Sequence, residues 1–223
     1  MIERINRDFI NLKNLTSNTS HEIQTPLAII RSKAELLLQS EDLSKEQANL
    51  ICGIIKSSTR LSKLNESLLL ITKIENNQFT ESELVNPSET LKVQIENFKP
   101  LIDSKNQELQ SDINDGIIKI NTLLLDVLLV NLLKNAIWHN IDNGFIRVEY
   151  IDFRLKVSNS GKEPEFPIER IFERFTKGGG RNESNGLGLS IVKMICDSYK
   201  IPVQYDFRDK LHIFEIEFVS LKV

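Results

Sequence analysis

Apolar positions recur at alternating steps of four and three along two stretches of this chain. In the first, Ile5, Phe9, Leu12, Thr16, Thr19, Ile23, Pro26 and Ile30 keep that rhythm to near Leu37. In the second, Leu50, Ile54, Leu61, Leu64, Leu68 and Ile71 keep it, with Ser57 filling the gap. Such spacing marks one face of an α-helix. Leu27, Ala34 and Leu38, and then Ile51, Ile55 and Leu69, widen both stripes beyond what one partner helix covers. Residues 1–77 hold one proline, Pro26, and one glycine, Gly53. Between the two stretches, Ser44 with Gln47 matches a capping box that starts the second helix. One hairpin cannot bury two wide stripes, whereas two copies form a four-helix bundle. Residues 1–77 are therefore expected to be a dimerising helical hairpin, its first helix a rod over ~50 Å long at ~1.5 Å per residue.

After Gln78 the pattern changes. Pro87-Ser88 opens a predicted helix running to about Ser104. Glu108–Ile113 and Ile117–Ile120 read as short strands, Leu123–His139 as a strongly apolar helix, and Gly144–Asp152 with Phe153–Ser158 as a hairpin. Lys177–Gly186 reads as a loop, Leu187–Tyr199 as a helix, and Val203–Phe207 with His212–Phe218 as closing strands. Helices mixed with hairpins predict an α+β sandwich for residues 78–223.

Composition narrows the function classes. With 40% hydrophobic and 26% charged residues the 223-residue chain is globular rather than disordered. A formal net charge of -3 argues against a nucleic-acid partner. The two cysteines, Cys52 and Cys196, offer no metal spacing and read as buried, reduced thiols. No apolar run approaches the ~18–20 residues of a membrane span, and the charged start is unlike a signal peptide. The chain is expected to be soluble.

Ser20-His21-Glu22-Ile23-Gln24-Thr25-Pro26-Leu27 lies within the first helix. At ~100° per residue His21 projects away from the seam, with Thr25 one turn further along its face. A mid-helix proline costs about 3 kcal/mol, and a kink freeing backbone near the histidine would justify it. A surface histidine beside an incidental proline is the plainer account. The octet, however, resembles the phosphoacceptor box of bacterial sensor histidine kinases, Ser-His-Glu-x-x-Thr-Pro-Leu. That resemblance implies that His21 Nε2 attacks the γ-phosphate of ATP. Glu22 would hold the Nδ1 proton, and Thr25 would orient a water for dephosphorylation of a partner.

Four later patches resemble, in order, the ATP-binding domain of the same family, whose fold is shared with gyrase, Hsp90 and MutL. In Asn131-Leu-Leu-Lys-Asn135-Ala-Ile-Trp-His139-Asn140 the two asparagines lie one turn apart, on one side of a helix. The resemblance makes Asn135 the Mg²⁺ ligand and puts Asn131 on phosphate or the metal's waters. Val157-Ser-Asn159-Ser-Gly161-Lys-Glu-Pro164 falls where the family carries Asp-x-Gly-x-Gly, with Asn159 replacing the adenine-binding aspartate and Glu163 the second glycine. An asparagine still offers a carbonyl acceptor. Ile171-Phe172-Glu-Arg-Phe175 matches the phenylalanine box, expected to pack beneath a lid containing Gly178-Gly-Gly180, and Lys177 follows as a candidate phosphate contact. Asn185-Gly186-Leu187-Gly188 precedes a helix, where backbone N–H groups would cradle phosphates. Trp138 stands where the family commonly has Lys or Arg, a loss that Lys134 or Lys177 could make good.

The implied protein is a homodimeric kinase, autophosphorylating His21 with Mg²⁺ and ATP and passing the phosphoryl group to an aspartate on a response-regulator receiver domain. The family's membrane anchoring implies a cytoplasmic portion whose missing N-terminal region meets an inner membrane. A signal would then enter through the Ile2–Asn18 helix. Rival readings are a nucleotide-binding pseudokinase scaffold, an enzyme acting mainly as a response-regulator phosphatase, and an ATPase of the chaperone or mismatch-repair type. The last has no need of His21.

Overall fold

A computed structural model describes residues 22–40, 42–176 and 185–223. The chain divides after Gln78 into two compact units.

In the first unit, helix α1 (22–38) runs unbroken through Pro26, and α2 spans Lys45–Glu75. The capping box forms as the sequence predicts. Ser44 Oγ accepts from the Gln47 backbone N–H at 3.1 Å, and Gln47 Oε1 accepts from the Ser44 N–H at 2.9 Å. The buried Ser58 donates its hydroxyl to the Leu27 carbonyl at 2.8 Å, tying the two helices together. Ala34, Ile51, Ile71 and Ile74 are buried. Leu50, Ile54, Leu61 and Leu68 remain exposed, and Leu27, Ile30, Leu50, Ile54 and Leu61 line an apolar groove of about 390 Å³. The stripe is wider than the hairpin can cover, as its residue pattern requires. The helix continues through Pro26 without the break expected there, and the helix before Glu22 lies outside the described residues.

The second unit begins with β1 (Glu83–Val85), which pairs antiparallel with β3 (Ile118–Ile120). The helices are α3 (Pro87–Ser104), α4 (Thr122–Trp138) and α5 (Gly188–Ser198). Strands β2 (Glu108–Ile113), β4 (Phe145–Ile151), β5 (Arg154–Ser160), β6 (Val203–Arg208) and β7 (Leu211–Glu217) form one sheet in the order β2-β4-β5-β7-β6. β2 pairs parallel with β4 and the remaining pairs are antiparallel.

Register sorts the sheet into two faces. Val148, Val157 and Phe214 lie across from one another, as do Tyr150, Leu155 and Ile216, and all six are buried. The opposite face carries charge, with ion pairs Lys156–Glu215 (3.7 Å) and Arg154–Glu217 (3.5 Å). One face for helices and one for water is the two-layer solution for such a sheet. α4 is apolar enough to bury eight of its residues between the sheet and its neighbouring helices. It runs antiparallel to α5. The Asn121 backbone N–H before α4 donates to the Tyr199 hydroxyl after α5, and Asn131 in mid-α4 meets Gly188 at the start of α5. Cys196 is fully buried on α5, but Cys52 on α2 is only half-buried, correcting the sequence expectation. Among the described residues no helix is long and apolar enough to cross a membrane.

Candidate active site

The apolar face of the sheet ends on a polar rung. Ile146, Asn159, His212 and Phe207 follow one another across β4, β5, β7 and β6. Asn159 is 0% exposed. Its Nδ2 donates to the Ser160 carbonyl at 2.8 Å and to the His139 carbonyl at 3.4 Å. Its Oδ1 is buried without a hydrogen-bond partner. A buried carbonyl left unpaired costs roughly 1–3 kcal/mol, a cost that a donor from outside the fold would relieve. The exocyclic amino group of adenine is such a donor.

Gly161 lies beside it, also buried. A Cβ there would collide with the His212 ring and approach the His139 carbonyl to 3.3 Å. The C-terminal end of α4 therefore meets the end of β5 at Asn159 and Gly161. About eight residues back along the same helix, ~12 Å at 1.5 Å per residue, Asn131 faces the other glycine motif. A Cβ on Gly188 would stand 2.8 Å from Asn131 Oδ1. Asn135 lies between the two ends, half-buried like Asn131, whose Nδ2 donates to the Val127 carbonyl at 2.8 Å. That bond turns Asn131 Oδ1 outward. An asparagine pair is thus flanked by an orphaned acceptor at one end and a helix N-terminus at the other.

Gly186 needs its missing side chain. Its φ is +68°, and a Cβ would meet the backbone of Phe175 and Thr176 at 2.8 Å. The Phe175 N–H donates to the Gly186 carbonyl at 2.7 Å, joining the phenylalanine box to the phosphate motif. Leu187 is buried and anchors the turn, while among the described residues no side chain caps the start of α5. An uncapped helix N-terminus has N–H groups and a positive dipole end to offer an anion. Within the phenylalanine box, Phe172 packs edge-on against Phe214 at 6.4 Å. Phe175 has a φ of 63° and is 56% exposed, and the lid it was expected to pack beneath lies outside the described residues.

Glu22 and Thr25 are both exposed on α1. His21, Lys177 and the Gly178–Gly180 segment lie outside the described residues. Among those described, no group of three His, Cys, Asp or Glu could hold a metal. Asn131 and Asn135, half-buried one turn apart on α4, carry neutral amide oxygens, hard donors of a kind a magnesium ion accepts.

Three side chains escaped the sequence reading. Lys105 places its ammonium 4.2 Å from the centroid of the Trp138 ring, putting a cation over the residue that stands in the family's Lys or Arg position. His212 accepts or donates at Nδ1 to the Tyr205 hydroxyl, 2.7 Å away. Burial drives the His212 imidazole down to about 4, helped by nearby His139 and opposed by a backbone hydrogen bond to Lys162. Burial likewise raises the Tyr205 hydroxyl above its ordinary range. Only strand register brings these residues to Asn159, and register is not written in local spacing.

Comparison with known proteins agrees with this geometry. Residues 11–77 match the His Kinase A (phospho-acceptor) domain, and residues 121–218 match the Histidine kinase-, DNA gyrase B-, and HSP90-like ATPase family. The sensor protein CutS of Streptomyces coelicolor is 29% identical over 209 residues, covering 89% of this chain and 50% of CutS. The heme sensor protein HssS of Staphylococcus haemolyticus is 31% identical over 204 residues, covering 89% of this chain and 44% of HssS. Full-length ShkA, solved in complex with AMPPNP, superposes with a TM-score of 0.71 at 22% identity, over 94% of this chain and 46% of ShkA, a likeness of fold. The chain belongs to the two-component sensor histidine kinases and carries their phosphoacceptor and ATPase modules, the catalytic core. It spans about half the length of the curated relatives it matches.

Proposed function

We propose that this chain autophosphorylates His21 with Mg-ATP and hands the phosphoryl group to an aspartate of a response-regulator receiver domain. The observation that carries the proposal is the buried Asn159 with its unpaired Oδ1, one end of an α4 face whose other end is Asn131 against Gly188. Adenine's amino group donates to Asn159 Oδ1. The triphosphate then lies along α4 toward the uncapped start of α5, where backbone N–H groups stabilise its charge. Magnesium, when bound, neutralises charge on the phosphates, and Asn135 is the residue that would hold it. His21 Nε2 attacks the γ-phosphorus, the bond to the bridging β,γ-oxygen breaks, and ADP leaves. Glu22 accepts the hydrogen bond from Nδ1–H, which keeps the lone pair on Nε2. Transfer to the receiver aspartate then breaks the P–N bond. Thr25, four residues on in the sequence, would orient water for the reverse task of dephosphorylating the regulator.

The exposed hairpin stripe supports a homodimer. A groove lined by Leu27, Ile30, Leu50, Ile54 and Leu61 fits a second copy of the same hairpin.

Calorimetric titration with ATP, with and without Mg²⁺, tests the site directly. Micromolar binding that weakens at least tenfold in Asn159→Leu is expected, because one desolvated hydrogen bond to the base is worth about 1.5 kcal/mol. Unchanged binding in that variant would overturn the assignment of the base site.

A further inference from the structure

Resting on the nucleotide reading, we infer that His212, braced by Tyr205, is a positioning residue that aims the Asn159 acceptor at the base and thereby sets selectivity for adenine. The end of β5 carries the acceptor. Asn159-Ser160-Gly161 leads into Lys162 and Glu163, both exposed, so the segment after Gly161 is held by little of its own. What holds it comes from the β6–β7 hairpin. The Gly161 N–H donates to the Lys210 carbonyl at 2.9 Å. Lys210 and Asp209 form the hairpin tip, both with positive φ (62° and 54°), the backbone of a tight two-residue turn.

His212 supplies the second hold. It is the direct cross-strand partner of Asn159. The Cδ2 and Nε2 edge of its ring occupies the space a Cβ on Gly161 would need. Its Nδ1 is engaged by the Tyr205 hydroxyl at 2.7 Å, which leaves the Nε2 edge facing the turn at Gly161. A hydroxyl donating to Nδ1 fixes the neutral tautomer with its proton on Nε2, the form that donates to a carbonyl. Tyr205 is itself locked, its ring 4.8 Å from that of Phe214. A chain of contacts thus runs from the sheet core through Tyr205 and His212 to the turn carrying Asn159.

The test uses the full chain, with wild type, His212→Phe, His212→Gln and Tyr205→Phe compared for affinity toward ADP and IDP, whose base lacks the amino group. Phe keeps an aromatic ring without nitrogens, whereas Gln keeps a donor at the place of Nε2. Wild type should prefer ADP about tenfold, the value of one positioned hydrogen bond. That preference should fall to within about twofold in His212→Phe, survive in His212→Gln, and drop partway in Tyr205→Phe. Thermal melts of all four identify any variant that fails to fold, in which case Tyr205→Phe, which removes one oxygen, decides the matter. Wild-type selectivity in His212→Phe, or equal loss in Phe and Gln variants, would overturn the inference while leaving nucleotide binding standing. No ADP binding by the wild type would overturn the nucleotide reading and this role with it.

Discussion

Asn159 has a buried carbonyl oxygen that no residue in the fold satisfies, and proteins keep such an atom at a cost. Replacing it by leucine removes the orphan but also the Nδ2 bonds to the Ser160 and His139 carbonyls, so a modest loss of stability should accompany the loss of nucleotide affinity. A melt within a few degrees of wild type, alongside the tenfold loss proposed above, is the expected signature of a functional rather than structural asparagine. His212 makes a second prediction. Its imidazole is held at about 4 in the fold against an ordinary 6.5. Between those values the unfolded chain binds a proton that the native state refuses, so stability falls as pH drops from about 6.5 to 4. His212→Gln should flatten that slope in urea unfolding at several pH values; an unchanged slope would assign it to other groups. At this scale the sequence was half informative. Asn131, Asn135, Gly186 and Gly188 announce themselves by spacing, but His212, Tyr205 and Lys105 reach the site only through register and tertiary packing.

Helices were legible where local chemistry specifies them. Ser44 and Gln47 both name and build the start of α2, and Pro87 marks the start of α3, whereas the caps Asn86 and Asn121 emerge only in the structure. Ser44→Ala should cost the hairpin about 1 kcal/mol, read as a lower denaturation midpoint with an unchanged slope; no shift would mean that the cap is redundant. Strands β4 to β7 followed from alternation, with ends moved by one or two residues. β1 was missed because three residues carry too little pattern, and its pairing with β3 joins segments more than thirty residues apart. The parallel β2–β4 pair was equally hidden, since no turn chemistry marks it. The junction of α4 with α5 yields its own prediction. Gly188→Ala places a methyl 2.8 Å from Asn131 Oδ1, pushing the amide off the site. ATP affinity should fall while far-ultraviolet circular dichroism stays native.

At the scale of the whole molecule, two modules divide the labour. The ATPase-type unit gathers acceptor, asparagines and helix N-terminus on one face of α4, and the hairpin supplies the histidine and an uncovered apolar stripe. Ile54 and Leu61, 48% and 51% exposed, lie with Leu27, Ile30 and Leu50 along one apolar groove of the hairpin. The double variant Ile54→Glu, Leu61→Glu should convert a dimer to a monomer in light scattering, and a dimer that persists would place the interface elsewhere. The division into hairpin and sandwich was readable from the change of hydrophobic period near Gln78, because helix and strand periods differ so strongly. The central claim is phosphoryl transfer from ATP to His21. Incubation with ATP labelled at the γ-phosphate, comparing wild type with His21→Gln, tests it most directly. Acid-labile label on the wild type and none on the variant is the predicted result; a folded, nucleotide-binding dimer that takes up no label, or label that survives in the variant, would contradict it.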